Sequence, residues 1–388
     1  MLKNLLKLVP AVAILSSLFV VSVQAAQVTQ LDEAYVPVAS RSVDDKNQGL
    51  KTALASVIVK NAGTESALSN AMVAEQLQSP SAWLSQFGYL EQDGQLMLKA
   101  NFDQSRVINL LRQAHLPVWG SQRPLTLMWF AFETEGERAI LSDYSTAPVR
   151  QHFTQAGTQR GLPMLFPVMD LDELTQVNVS DVRGMFVNNI AASSTRYQAD
   201  FFAVASVEEA SGSFKFQLSL FPAQGGPEAL VQPLYATQGE ADSMADVSTK
   251  MVAALSEYYV TRYAVANSGS QFDTKITFVN THSLKQLVDI ENYLKGLSAV
   301  KSAYVSQIQG DTAVFSLGLF GSEADFQRLL TLEPRISILS STGKGSDSGT
   351  VNNLDNNTST TSQSTYGSLT TPSSSSALAE TVYQWQGR

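Results

Sequence analysis

The stretch "PLTLMWFAFE", Pro124 to Glu133, constrains the fold more than any other part of the chain. It is apolar almost without interruption, so neither face is marked for water. That pattern fits a β-strand buried on both sides. Such a strand needs partners in its sheet and a covering layer on each face, and the neighbouring sequence offers both. "ERAILSD" can pair beside it. "DFFAVASVEE" and "FKFQLSLF" read as two strands joined through Ser211-Gly212. "APVRQHFTQAGTQRG" predicts a short helix. Ser180 can cap another, with Val182, Met185, Phe186 and Ile190 on one face. "DSMADVSTKMVAALSEYYVTRYAV" predicts a long helix capped by Asp242 or Ser243, with Val247, Met251, Ala254, Leu255 and Tyr258 as its stripe. Residues 118–266 therefore read as a layered α/β domain.

Two further modules flank it. Residues 27–117 read as α+β, beginning with a strand at "AYVPVASRS". A helix follows, capped by Ser42, with Leu50, Ala53, Leu54, Val57 and Ile58 on its apolar side and Gly63 at its end. A hairpin around Asp93-Gly94 and a helix between Asp103 and Pro117 complete the module. Residues 273–339 run strand, helix, strand, strand, helix, strand, the ferredoxin-like βαββαβ order.

From Ser340 the composition changes. Of the 37 residues from Ser340 to Ser376, 20 are Ser or Thr, too few of the rest being apolar to offset chain entropy. Residues 340–388 are therefore expected to be a disordered tail. Its last twelve residues, "ALAETVYQWQGR", regain Val382, Tyr383 and Trp385. They read either as a frayed end or as a docking peptide on a leash.

The first residues, "MLKNLLKLVPAVAILSSLFVVSVQAAQ", carry Lys3 and Lys7, then an uncharged run from Leu8 to Val23, then small residues at a cleavage site. This is the pattern of a secretory signal peptide, residues 1–25, cleaved after Ala25. The run is also nearly long enough for an uncleaved anchor. The chain has no cysteine, which excludes disulfides, thiol catalysis and thiolate metal sites. An exported chain held by its core alone suits a bacterial periplasm. The formal charge is −9 before any loss of Lys3 and Lys7. An acidic chain disfavours nucleic acid and anionic lipid as partners. No stable membrane insertion is expected after cleavage.

The search for chemistry centres on "RGLPMLFPVMDLDEL", Arg160 to Leu174, which ends in Asp170, Asp172 and Glu173. With Asp170 as N-cap, Glu173 stands at the capping-box position, and the acids lie at the positive end of a helix dipole. A metal or proton-transfer site is the functional alternative, because ligands in α/β folds gather where strands end. His115, His152 and His282 lie in separate modules without metal-ligand spacing. "GKGSDSG" lacks the spacing of a phosphate loop, and Ser298 with Lys301 is a chance Ser-x-x-Lys match. Paired Glu208-Glu209 and the acids Glu133, Glu135 and Glu137 read as solvated surface. Tyr258, Tyr259 and Tyr263 read as core or interface. No catalytic, cofactor-binding or metal residue is assigned.

The motifs "ALASVIVKNAG", "RPLTLMWFAF", "RGLPMLFPVMDLDEL" and "SSTRYQADFFAVASV" resemble the domain of unknown function 2066 family, exported proteins of gammaproteobacteria. The likeness runs from Tyr35 to about Leu339. It implies no established activity, cofactor or catalytic set. At fold level, the second module is also similar to small domains of envelope assembly proteins. These include curli-secretion lipoproteins, the amino-terminal part of the Tol β-propeller protein and outer-membrane activators of peptidoglycan synthases. The expectation is a periplasmic, non-enzymatic envelope-assembly or protein-interaction module with an envelope protein partner and no cofactor. The alternatives are a carboxylate-dependent hydrolase using Asp170, Asp172 or Asp143, or a binder of small ligands between modules.

Overall fold

A computed structural model describes residues 30–92, 94–134, 136–210, 212–269, 272–332, 335–339 and 381–386. The expected signal peptide and residues 340–380 of the expected tail lie outside the described residues.

In the first module, strand β1 (Glu33–Pro37) buries Ala34 and Val36. Helix α1 (Val43–Ala62) starts where Ser42 accepts from the Asp45 backbone N–H, and stops at Gly63 in the left-handed region. Its Leu50, Ala53, Leu54, Val57 and Ile58 are buried as their spacing predicts. Helix α2 (Ala71–Gln76), strands β2 (Leu84–Gln92) and β3 (Gln95–Phe102), and helix α3 (Gln104–Gln113) follow. The strands form an antiparallel sheet in the order β1-β3-β2. Asp103 caps α3 through the Arg106 N–H.

The second module contains β4 (Pro117–Val118), β5 (Thr126–Thr134), β6 (Glu137–Ile140), α4 (Pro148–Arg160) and β7 (Met164–Leu165). Short helices α5 (Leu171–Gln176), α6 (Val179–Arg183) and α7 (Val187–Ser194) come next. Then come β8 (Phe201–Ala210), β9 (Ser213–Pro222), β10 (Tyr235–Ala241), α8 (Met244–Tyr263) and β11 (Val265–Ala266). The main sheet runs β10-β9-β8-β5-β6, with β5 parallel to β8. The expectation for "PLTLMWFAFE" holds: β5 is covered on both faces. Met128, Phe130 and Phe132 pack with Phe153 of α4 and Met251 and Leu255 of α8. Leu127, Trp129 and Ala131 pack with Val182 of α6 and Ile190 of α7. Trp129 also donates its indole N–H to Ser194, 2.9 Å away, so its polar atom is satisfied inside the core.

Locally the structure departs from the sequence pattern. Between Met164 and Met169 only the short β7 is strand, pairing with β5 at two residues. Pro163 and Pro167 flank it and supply no N–H to a ladder. The helix after Val177 is capped by Asn178 rather than Ser180, and it is broken in two. Gly184 ends α6 and Met185 adopts φ 56°, which throws Phe186 outward to 58% exposure. Strand β10 was not anticipated, since "YATQGEA" is mostly small and polar; it is the edge partner of β9.

The third module has β12 (Phe272–Val279), α9 (Leu284–Gly296), β13 (Val300–Gln309), β14 (Thr312–Leu319), α10 (Glu323–Thr331) and β15 (Ile336–Leu339). This is the expected split βαβ order. One strand is added: β16 (Val382–Trp385) lies between β12 and β15 in the order β13-β14-β12-β16-β15. The end of the chain at 381–386 is therefore neither frayed nor docked elsewhere. It is part of the sheet, because Tyr383 and Trp385 fill the core beneath the helices.

Arginine forks tie the modules together. Arg123, only 3% exposed, donates to the carbonyls of Lys60, Trp119, Gly120, Arg160 and Gly161. A planar guanidinium with five N–H groups suits such a knot of chain ends. A Cβ at Gly161 would stand 2.6 Å from that guanidinium, and the position also has φ 62°. Arg112 joins the Val265 and Ser298 carbonyls, each at 2.5 Å.

Candidate functional site

Asp170 behaves as a cap. Its carboxylate accepts the Glu173 backbone N–H at 3.1 Å and pairs with Arg196 at 2.8 Å. Those two contacts hold its carboxyl below the usual range. Glu173 departs from the reciprocal box by one residue. It reaches the N–H of Met169 at 2.7 Å rather than that of Asp170. Met169 sits at φ 58°, uncommon for a side chain of its size, and the Glu173 carboxylate fastens it there.

Glu173 is 2% exposed and also receives the hydroxyl of Tyr197. That oxygen in turn accepts the Val168 N–H at 2.7 Å. Burial, and then the hydrogen bond to Glu173, raise the Tyr197 hydroxyl above its ordinary value. Arg196 and Tyr197 come from the 3₁₀ turn Thr195–Tyr197, in the quoted "SSTRYQAD". The structure thus joins two of the sequence motifs in one clasp. Sequence reasoning had both segments but assigned Arg196 and Tyr197 no role. Asp172 is exposed and takes no part through its carboxylate.

The remaining candidates stand apart. Asp143 pairs with Arg150 at 2.8 Å. The Ser298 hydroxyl donates to the Tyr263 carbonyl, and Lys301 is exposed on β13. His115 lies 3.0 Å from the Asn267 carbonyl, whereas His152 is on α4 and His282 precedes α9. The sequence "GKGSDSG" and Glu135 lie outside the described residues. Glu133 pairs with Arg138, and Glu208 with Arg183, at the surface. Tyr259 is core: it is fully buried, and its hydroxyl is 2.7 Å from Thr126 Oγ1. Among the described residues no group of three or more His, Asp or Glu side chains could hold a metal ion.

Two openings deserve mention for their chemistry. A small cleft of about 50 Å³ between the second and third modules is lined by Arg123, Asp200, Tyr263, Tyr293 and Ser298. Its polar groups are engaged with the chain itself; Asp200, for instance, accepts the Leu125 N–H at 2.7 Å. A broader groove of about 760 Å³ lies where α7 begins, between Phe186, Asn188, Asn189, Phe221, Val231 and Pro233. Phe186 and Val231 are 58% and 77% exposed. The acid lining this groove, Asp181, is bound in the α6 capping box with Asn178. The groove therefore offers apolar surface and amides, and Phe186 is presented there by the break at Gly184-Met185. That break is legible only as a glycine within a helical pattern.

Comparison with known proteins adds two family matches. Residues 272–353 match the DUF2066 family model. The resemblance drawn from the sequence is borne out, over a shorter stretch than expected. The DUF2066 segment takes in β12 to β15, whereas the motifs that suggested the family lie outside it. Residues 25–120 match a second model, a domain of unknown function designated DUF8605. No curated protein matches the chain. Among solved structures, the C-terminal domain of LpoB from Salmonella enterica is similar at 11% identity. It covers 31% of this chain and 83% of that one, with a TM-score of 0.19. No helix among the described residues is long and apolar enough to cross a membrane.

Proposed function

We propose that the protein is a periplasmic, non-enzymatic interaction module of the cell envelope, and that it engages a protein partner through the groove at the start of α7. One observation carries this reading. Phe186 and Val231 are exposed at an open groove, with asparagine amides beside them and their acid neighbour already committed to a helix cap. Apolar side chains with adjacent amides suit a polypeptide surface. Asp170 and Glu173 are engaged in a clasp, which supports a binding role over proton transfer. The acidic charge supports a protein partner over nucleic acid. The leader at residues 1–25 supports export to the periplasm.

The test is site-specific photocrosslinking in intact cells. A crosslinker at Phe186 or Val231 is expected to give one defined envelope-protein adduct. The same probe at Val43, 66% exposed on the first module, is the control. Identical adducts from all three positions, or none from the groove, would sink the proposal.

A further inference from the structure

Strand β16 occupies a place that a ferredoxin-like module does not require. The split βαβ is complete between Phe272 and Leu339, an arrangement that would normally set the first strand beside the last. Here β16 separates them. It runs parallel to β12, opposite Thr277, Phe278 and Val279, and antiparallel to β15, opposite Ile336 to Leu339. It arrives after the intervening residues 340–380. Among the described residues, β15 pairs with β16 alone. Without this strand, two sheet edges would face each other across roughly twice the 4.8 Å strand spacing.

The place reads side chains as well as backbone. Tyr383 and Trp385 face the helices and are 2% and 8% exposed. The Tyr383 ring lies 6.0 Å from Phe278, and its hydroxyl donates to Gln327 at 2.8 Å. The Trp385 ring lies 5.3 Å from Tyr293. Arg335 stands over both of those rings, at 5.0 and 5.3 Å. Val382 and Gln384 alternate with them and are only half-buried. Backbone pairing on both sides and pockets for alternate side chains are how sheets recognise extended peptides.

We infer that the space between β12 and β15 is a binding site for an extended peptide with aromatic residues at alternate positions, and that residues 381–386 are its tethered, displaceable occupant. The tether makes binding intramolecular, with an effective concentration on the order of millimolar. The intact chain therefore shuts out free peptides of micromolar affinity. Cutting the connection or drawing out the terminus opens the site.

The experiment uses the full chain with a protease site placed within residues 340–380, folded first and cleaved afterwards. The probe is a fluorescent peptide of the sequence "ALAETVYQWQGR". The cleaved chain should take it up saturably, and the intact chain about a thousandfold more weakly. A peptide with Tyr383→Ala and Trp385→Ala should not compete. Because the chain has no cysteine, Ser337→Cys with Gln384→Cys, directly opposed across β15 and β16, can lock the resident strand. The oxidised form should refuse the probe even after cleavage, and reduction should restore uptake. The inference is overturned if the cleaved, folded chain takes up no peptide, or if intact and cleaved chains take it up equally. It is also overturned if cleavage unfolds the third module.

Discussion

In the central sheet, β5 sends Met128, Phe130 and Phe132 into one helical layer and Leu127, Trp129 and Ala131 into another. In the third sheet, β14 buries Ala313, Phe315 and Leu317 and leaves Val314 and Ser316 between them only half-buried. The first arrangement writes an unbroken apolar run into the sequence, and the second writes an alternation. The alternation is so economical that four residues, Val382 to Trp385, suffice for a strand. That is why β16 passes for part of a polar tail, while β5 is unmistakable.

The sharpest test of this contrast compares Trp129→Ala with Trp385→Ala. Trp129→Ala is expected to cost about 3–5 kcal/mol in denaturant unfolding, since a fully buried indole leaves a cavity between two layers. Trp385→Ala should cost less, because β16 can detach locally and cap the loss. Hydrogen exchange should then show protection lost at residues 336–339 and 382–385 and kept in β5 and β8. Equal loss in β5 would break the distinction between the two sheets.

The clasp in the second module gives an intermediate effect. Glu173→Ala should cost about 1–3 kcal/mol, because the Met169 N–H and the Tyr197 hydroxyl lose a buried acceptor. In the same helix turn, Asp172→Ala should stay within about 0.5 kcal/mol. Urea midpoints for the two variants decide it, and a larger loss at Asp172 would reopen a functional role for that acid.

A pH-dependent effect belongs to the junction of the first two modules. Burial, and then the charge of Arg123, push the Lys60 amine down to about 8. The unfolded chain keeps this proton to higher pH than the folded one. Stability from this group therefore rises between about pH 8 and 10.5, and it is constant below. Compared with Lys60→Met, the parent chain should gain up to about 1.4 kcal/mol per pH unit across that window. Parallel stability curves for the two chains would show that the amine is not perturbed.

Much of the architecture was legible. Ser42, Asp103, Asp170 and Ser243 cap helices through N–H groups three residues away, so sequence spacing alone finds them. The βαββαβ order was equally plain from local patterns. The candidate site was legible only in pieces. Asp170 and Glu173 were singled out, but Arg196 reaches Glu173 from 23 residues away, and no local spacing announces it. Nor did a helical stripe containing Met185 and Phe186 reveal that the helix breaks and turns Phe186 out.

By itself the sequence determined most of the segments that become strands and helices, where most of the helices begin, and that one strand must be buried on both faces. These follow from capping chemistry and apolar periodicity, which act over a few residues. Tertiary structure alone decided that Arg123 gathers five carbonyls from three chain segments and that Glu173 fastens a strained loop to Tyr197. It also decided that the end of the chain enters the third sheet. Those outcomes depend on buried polar groups finding partners and on open sheet edges finding a strand, over distances along the chain that periodicity does not reach.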